Sequence, residues 1–327
     1  MAYKITASTV KAAFSAITSE PIAKAEKIQM LIDLANELQN NPQSGEELWS
    51  AVGLYERALE MSNGELPILK ARVQIGLARA LQAIPDESAE LLLQAKAAYL
   101  EALPILQELN LSVKIAEVQM NLGIVLQALF PLNLARITDS IQAYQQALRV
   151  FTSEDYPQEY VILYNNIAIA YLSMAGNTEQ RSLCEGLAMQ TFEEVLKQIN
   201  IDDYPQEYAL LQNNLGNALQ HLDSKDTIKN NLRAIAAYDQ ALTVRNPQDT
   251  PLEYANTIAN KANALINLPD NPEKPEFGNH QNLLKASAYY QEAVEIFNRH
   301  HQIGQAQIVF QALQVVETEL RQKVAVM

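Results

Sequence analysis

A run of sixteen residues, Tyr204 to Leu219 (YPQEYALLQNNLGNAL), recurs in altered form at Tyr156 to Tyr171 (YPQEYVILYNNIAIAY) and at Pro251 to Leu265 (PLEYANTIANKANAL). Each copy has a proline at or next to its start, and each is followed by a segment patterned aromatic–x–x–small–large. Proline suits the first turn of a helix, where its missing N–H would have had no partner. The unit of this chain is therefore a helical hairpin. One hairpin cannot bury its apolar face alone, so successive copies must stack on each other.

The second segment keeps its spacing along the chain. Its copies are Tyr55/Ala58/Leu59, Tyr99/Ala102/Leu103, Tyr144/Ala147/Leu148, Phe192/Val195/Leu196, Tyr238/Ala241/Leu242 and Tyr290/Ala293/Val294. Their aromatic residues step by 44, 45, 48, 46 and 52. The first segment has its own marker, a small residue read at Ala35, Gly76, Gly123, Ala168, Gly216 and Ala262. The small residue lets the second helix approach, and the aromatic with its alanine fills the groove beside it. Two markers in one register predict an all-α protein: a right-handed α-solenoid of about six hairpins with capping helices at both ends.

In chain order, residues 1–20 are expected to form an N-terminal cap, with a short helix over 6–18 carrying Val10, Phe14 and Ile17 on one side. Residues 21–300 hold the six helix pairs, the first helix opening at Pro21 and running through Leu38. Residues 302–327 form a C-terminal capping helix with Ile308, Leu313, Val316 and Leu320 facing inward. The whole chain reads as a single solenoid domain.

Composition removes several function classes. Asp and Glu number 38 against 24 Lys and Arg, a net charge of −14. Such a surface repels phosphate backbones and anionic lipid, so neither nucleic acid nor a membrane is expected as a partner. The one cysteine, Cys184, cannot form an internal disulfide, and the start MAYKITASTVKAAF lacks the apolar core of a secretion signal. These features predict a cytoplasmic protein. No P-loop, G-x-G-x-x-G, G-x-S-x-G or calcium-loop motif occurs, so no enzyme is expected. The four histidines, at 221, 280, 300 and 301, lack metal-ligand spacing. No catalytic residue, metal or cofactor is predicted. The acidic pairs Glu46/Glu47 and Asp202/Asp203 lie at element boundaries, where they favour the positive end of a helix dipole.

Gly216, Ala234, Tyr238 and Ala241 together resemble the tetratricopeptide repeat. The sets Gly123/Ser140/Tyr144/Ala147 and Ala168/Ala188/Phe192/Val195 are similar. The look-alikes are the long bacterial repeats common in cyanobacterial proteins, with a P-x-x-Y/W-A-x-x-Q-N-N-L-G-x-A-Y run. The likeness covers roughly residues 20–300. The family repeat has about 34 residues, and the dozen extra here are expected between the two helices, for example Leu222 to Leu232. The resemblance implies a protein-interaction module whose first helices face a concave groove.

At those groove positions stands a ladder of asparagines. Asn121, Asn166, Asn214 and Asn260 each lie two residues before the small residue, Asn165 and Asn213 precede two of them, and Asn217 and Asn263 follow it. A side-chain amide both donates and accepts, so it can hold the backbone of a bound peptide; it can equally bond to the next repeat and keep the stack in register. The Lys and Arg with which some family members grip a terminal carboxylate are replaced beside the ladder by Glu117, Met120, Ile162, Leu210 and Asn256. The expected function is a non-catalytic scaffold holding a peptide segment or helix of another protein. The alternative is a dedicated assembly chaperone for a metalloenzyme or photosynthetic subunit in a cyanobacterium-like cell. A weak homodimer through the C-terminal helix is a further expectation, should that helix leave its apolar stripe uncovered.

Overall fold

The computed structural model describes residues 8–42, 44–62, 66–85, 89–174, 178–222 and 226–326. Among them every regular element is helical. The chain divides into two compact units, Met1–Asp155 and Tyr156–Met327.

In the first unit the helices are α1 (Ser8–Ser19), α2 (Lys24–Asn40), α3 (Gly45–Met61), α4 (Pro67–Ala83), α5 (Ala89–Glu108), α6 (Ser112–Leu129) and α7 (Ile137–Ala147). They pair as α2/α3, α4/α5 and α6/α7, with α1 against α2. The second unit holds α8 (Pro157–Leu172), α9 (Thr178–Gln198), α10 (Pro205–His221), α11 (Thr227–Leu242), α12 (Pro251–Ile266), α13 (His280–Arg299) and α14 (Ile303–Val326). There the pairs are α8/α9, α10/α11 and α12/α13, and α14 packs on α13. Within each unit a helix packs chiefly on its chain neighbours, as a repeat array requires. No described helix is long and apolar enough to cross a membrane.

Several local expectations shift. Pro21 sits in the turn before α2, which starts at Lys24. The inserts are shorter than expected because Thr227 to Leu232 already belong to α11. The extra repeat length goes largely into the helices, which run to 20 and 21 residues in α5, α13 and α9. In α14, Leu313 and Val316 face α13, but Ile308 is 69% exposed and points away from it. Its inner stripe is completed by Ala306 and Val309.

Helix starts also correct the register in the second repeat. The twelfth residue of each first helix is Ala35, Ala78, Gly123, Ala168, Gly216 and Ala262. Ala78, not Gly76, is therefore the small residue of that repeat. Gly76 packs instead on the ring of Tyr55, from the preceding pair. Gly123 and Gly216 lie under the rings of Tyr144 and Tyr238 of their own pairs. A methyl group built on Gly216 would stand 2.5 Å from Tyr238 Cε1, inside contact distance of a ring that is fully buried. Overpacking of this kind costs about 1–3 kcal/mol, against a helix-propensity gain of roughly 1 kcal/mol. Gly216→Ala is expected to lower the urea midpoint, and an unchanged or raised midpoint would show that the ring moves aside freely.

A periodic core position recurs at or just past the C-terminal end of each second helix. Seven residues after each aromatic stand Ser62, Leu106, Phe151, Ile199, Arg245 and Phe297. Ser62, Leu106, Phe151 and Phe297 are about 1% exposed. Arg245 is 6% exposed and occupies the same core slot in the fifth repeat. Its Nη1 donates to Thr257 Oγ1 at 2.8 Å, while its Nε has no partner among the described residues. Burial pulls its pKa down, and the charge of nearby Glu253 offsets part of that.

Three helix exits use a non-glycine residue at positive φ: Asn110, Asn133 and His301. Each forms the paired backbone bonds of a Schellman turn, as when Gln302 N–H reaches Phe297 O and His301 N–H reaches Asn298 O. His300 thus caps the end of α13 and His301 forms its turn.

Candidate binding face

The inner face of each pair is built from the tyrosine core outward. Tyr55, Tyr99, Tyr144, Tyr238 and Tyr290 are at most 1% exposed, so each hydroxyl needs a partner. Each finds one on the first helix of its own pair. Gln39, Gln82, Gln127 and Gln220 stand four residues after the small residue, and Asn36, Asn217 and Asn263 one after it. Tyr99 donates to Gln82 Oε1 at 2.6 Å and Tyr144 to Gln127 Oε1 at 2.8 Å. Tyr55 donates to Asn36 Oδ1 at 2.8 Å. Tyr238 donates to Asn217 Oδ1 at 2.7 Å and accepts from Gln220 Nε2 at 2.5 Å. Tyr290 donates to Asn263 Oδ1 at 2.5 Å. The fourth pair has Phe192 in place of tyrosine, and there the two partner positions are Ile169 and Leu172. The hydroxyl and its amide partners disappear together.

The asparagines separate into three groups. Asn217 and Asn263 hold tyrosine hydroxyls. Asn121 lies in the first unit, where its Nδ2 donates to Glu117 O one turn earlier on α6, at 2.8 Å. The other five form a continuous row across three helices of the second unit. Asn260 Nδ2 on α12 donates to Asn213 Oδ1 at 3.3 Å. Asn213 donates to Asn214 Oδ1 on the same helix at 3.2 Å. Asn214 donates to Asn165 Oδ1 on α8 at 2.7 Å, and Asn165 to Asn166 Oδ1 at 3.3 Å. Asn165 and Asn213 are buried; Asn166, Asn214 and Asn260 are half-buried.

Such a row joins repeats, because a buried amide that loses its partner costs about 1–3 kcal/mol. Asn214→Ala is expected to destabilise by that amount. Combined with Asn165→Ala it should lose less than the sum of the two, with a coupling of about 0.5–3 kcal/mol. Denaturation midpoints of the four proteins measure this, and strictly additive losses would show the 2.7 Å bond to be energetically idle.

Beside the row an open cleft of about 630 Å³ lies against α8, α9 and α10. Ile169 and Leu172 form an apolar wall, continued by Met174. Asn214 and Asn217 supply amides, while Arg181, Glu185 and His221 bring charge and an imidazole to the edge. Arg181 and His221 are exposed. The cleft opens at the one pair whose amides are replaced by Ile169 and Leu172. Cys184 is buried behind it, its Sγ 3.8 Å from Met174 Sδ. Sequence reading assigned His221 no role beyond its lack of metal-ligand spacing, and Arg181, Glu185 and the apolar wall were missed. Their signal was the concerted change from Tyr with Asn or Gln to Phe192 with Ile169 and Leu172.

No family model matches the chain, and no curated protein matches it. Among solved structures it is similar to a circular tandem repeat protein with novel repeat topology and enhanced subunit contact surfaces. The identity is 15%, over 97% of this chain and 74% of that one, with a TM-score of 0.28.

Proposed function

We propose that the protein is a non-catalytic interaction scaffold that receives a peptide segment or helix of another protein in the cleft of the second unit. The observation that carries this reading is the cleft itself: an aliphatic wall for partner side chains beside amides able to meet a backbone. The resemblance to tetratricopeptide repeats supports it, since that family binds peptides on its first-helix face. The hydrogen-bonded row alters the assignment of roles within the site. Asn165 and Asn213 are buried inside the row, so ligand contact falls to Asn214 and Asn217, which line the cleft, and to the edge residues.

The test is affinity capture from the native cell extract with wild type beside Arg181→Glu/His221→Ala. Both side chains are exposed, so circular dichroism and the melting temperature should not change. A partner retained by wild type and lost by the folded variant supports the cleft; equal retention places binding elsewhere. One unassembled subunit among the captured proteins would favour an assembly chaperone, and several unrelated proteins a general adaptor.

A further inference from the structure

The first unit contains a cleft of the opposite character to the protein's surface as a whole. About 390 Å³ in volume, it is floored by Ile32, Ile75 and Leu111, with Leu106 beneath. Arg72, Arg79 and Lys114 line it, and Glu117 is its one acid. Lys114 is already paired with that acid at 2.8 Å. The two arginines are exposed and keep their charge available: Arg72 donates to the neutral Gln29 at 2.6 Å, and Arg79 has no ion pair among the described residues. Across the chain acids outnumber bases by 38 to 24. Here the ratio is inverted over an aliphatic floor.

Spacing narrows what would fit. Arg72 and Arg79 are seven residues apart on α4, two turns along one face, or about 10 Å at 1.5 Å per residue. Two carboxylates three residues apart on a polyproline II segment, which has three residues per turn, share one face and are separated by about the same distance, at roughly 3.1 Å per residue. Between them an aliphatic side chain would point to the floor. Guanidinium groups bind carboxylates through paired, charge-assisted hydrogen bonds. We infer that this cleft binds an internal segment of a partner protein in which two acidic residues, three apart, flank leucine or isoleucine. The site is separate from the cleft of the second unit and does not rest on the function proposed for it.

The probe is a fluorescein-labelled peptide with acetylated and amidated ends, carrying two glutamates three residues apart around leucine and isoleucine. Fluorescence anisotropy on the full chain should show binding that weakens as salt rises. Arg72→Gln/Arg79→Gln should reduce affinity tenfold or more with the melting temperature unchanged, and a glutamine version of the peptide should bind as weakly. Arg181→Glu/His221→Ala should bind the probe as wild type does. The inference is overturned if the glutamine peptide binds equally, if the arginine variant keeps its affinity, or if binding appears only when the peptide carboxyl terminus is left free.

Discussion

Raising the pH from 10 to 12 is expected to unfold the protein, driven by its buried tyrosines. Burial pushes the hydroxyls of Tyr55 and Tyr290 up to about 12, and those of Tyr99, Tyr144 and Tyr238 higher still. Desolvation is the main cause in all five: a phenolate in the core loses its water. In the unfolded chain each ionises near 10. The sign follows directly. A folded pKa above the unfolded one means stability that is complete below pH 10 and drains away as pH climbs toward the folded value. Each tyrosine contributes about 1.4 kcal/mol per pH unit in that window, so by pH 11 the three of the first unit remove roughly 4 kcal/mol and the two of the second roughly 3 kcal/mol from their own units. A domain's entire stability is about 5–15 kcal/mol. Phenolate absorbance and helical circular dichroism should therefore change together near pH 11. Tyrosine ionisation that runs smoothly through 10 while helicity persists would show that the rings reach solvent in the folded state.

Replacing Arg245 by leucine is expected to stabilise the protein by about 1–4 kcal/mol, the range seen when buried charges give way to apolar side chains. The slot belongs to the apolar core in other repeats, where Leu106, Phe151 and Phe297 fill it. Arginine there retains one bond to Thr257 and an Nε unpartnered among the described residues. Thr257 is not orphaned by the change, since its hydroxyl also donates to Glu253 O at 2.7 Å. The melting temperature should rise by several degrees at about 2–4 °C per kcal/mol. Alanine at the same place should fall below wild type, because it leaves a cavity rather than a packed side chain. A leucine variant that melts lower than wild type would mean that the Thr257 bond outweighs the desolvation of the guanidinium.

The hairpin repeat and its tyrosine core were legible because both depend on spacing, and spacing survives in a sequence. The register of α4 was not. Gly76 is the more conspicuous small residue there, and only the start of the helix at Pro67 counts the position to Ala78. Ile308 was misplaced for a similar reason: an apolar residue reads as inward, yet the stripe of α14 follows Ala306, Val309, Leu313 and Val316. The asparagines were found as a group, but one residue type supported two readings. Only distances separate an amide held by Tyr238 or Tyr290 from one bonded across repeats. The two clefts were invisible for another reason. The first collects residues from α2, α4, α5 and α6 and the second from α8, α9 and α10, so Arg72 meets Ile32 and Leu111, and Arg181 meets Ile169 and His221, only after stacking.

The row from Asn260 to Asn166 has a direction. From Asn260 each amide donates to the next, through Asn213, Asn214 and Asn165 to Asn166, like tiles laid in a single sense. Turning one amide over sets donor against donor and acceptor against acceptor, so an isolated reversal forfeits the bonds on both its sides. Turning all five restores the full count. The row therefore has two settings of equal bonding and costly intermediates. In one setting its Asn166 end offers hydrogens and its Asn260 end a lone pair, and in the other the offers are exchanged.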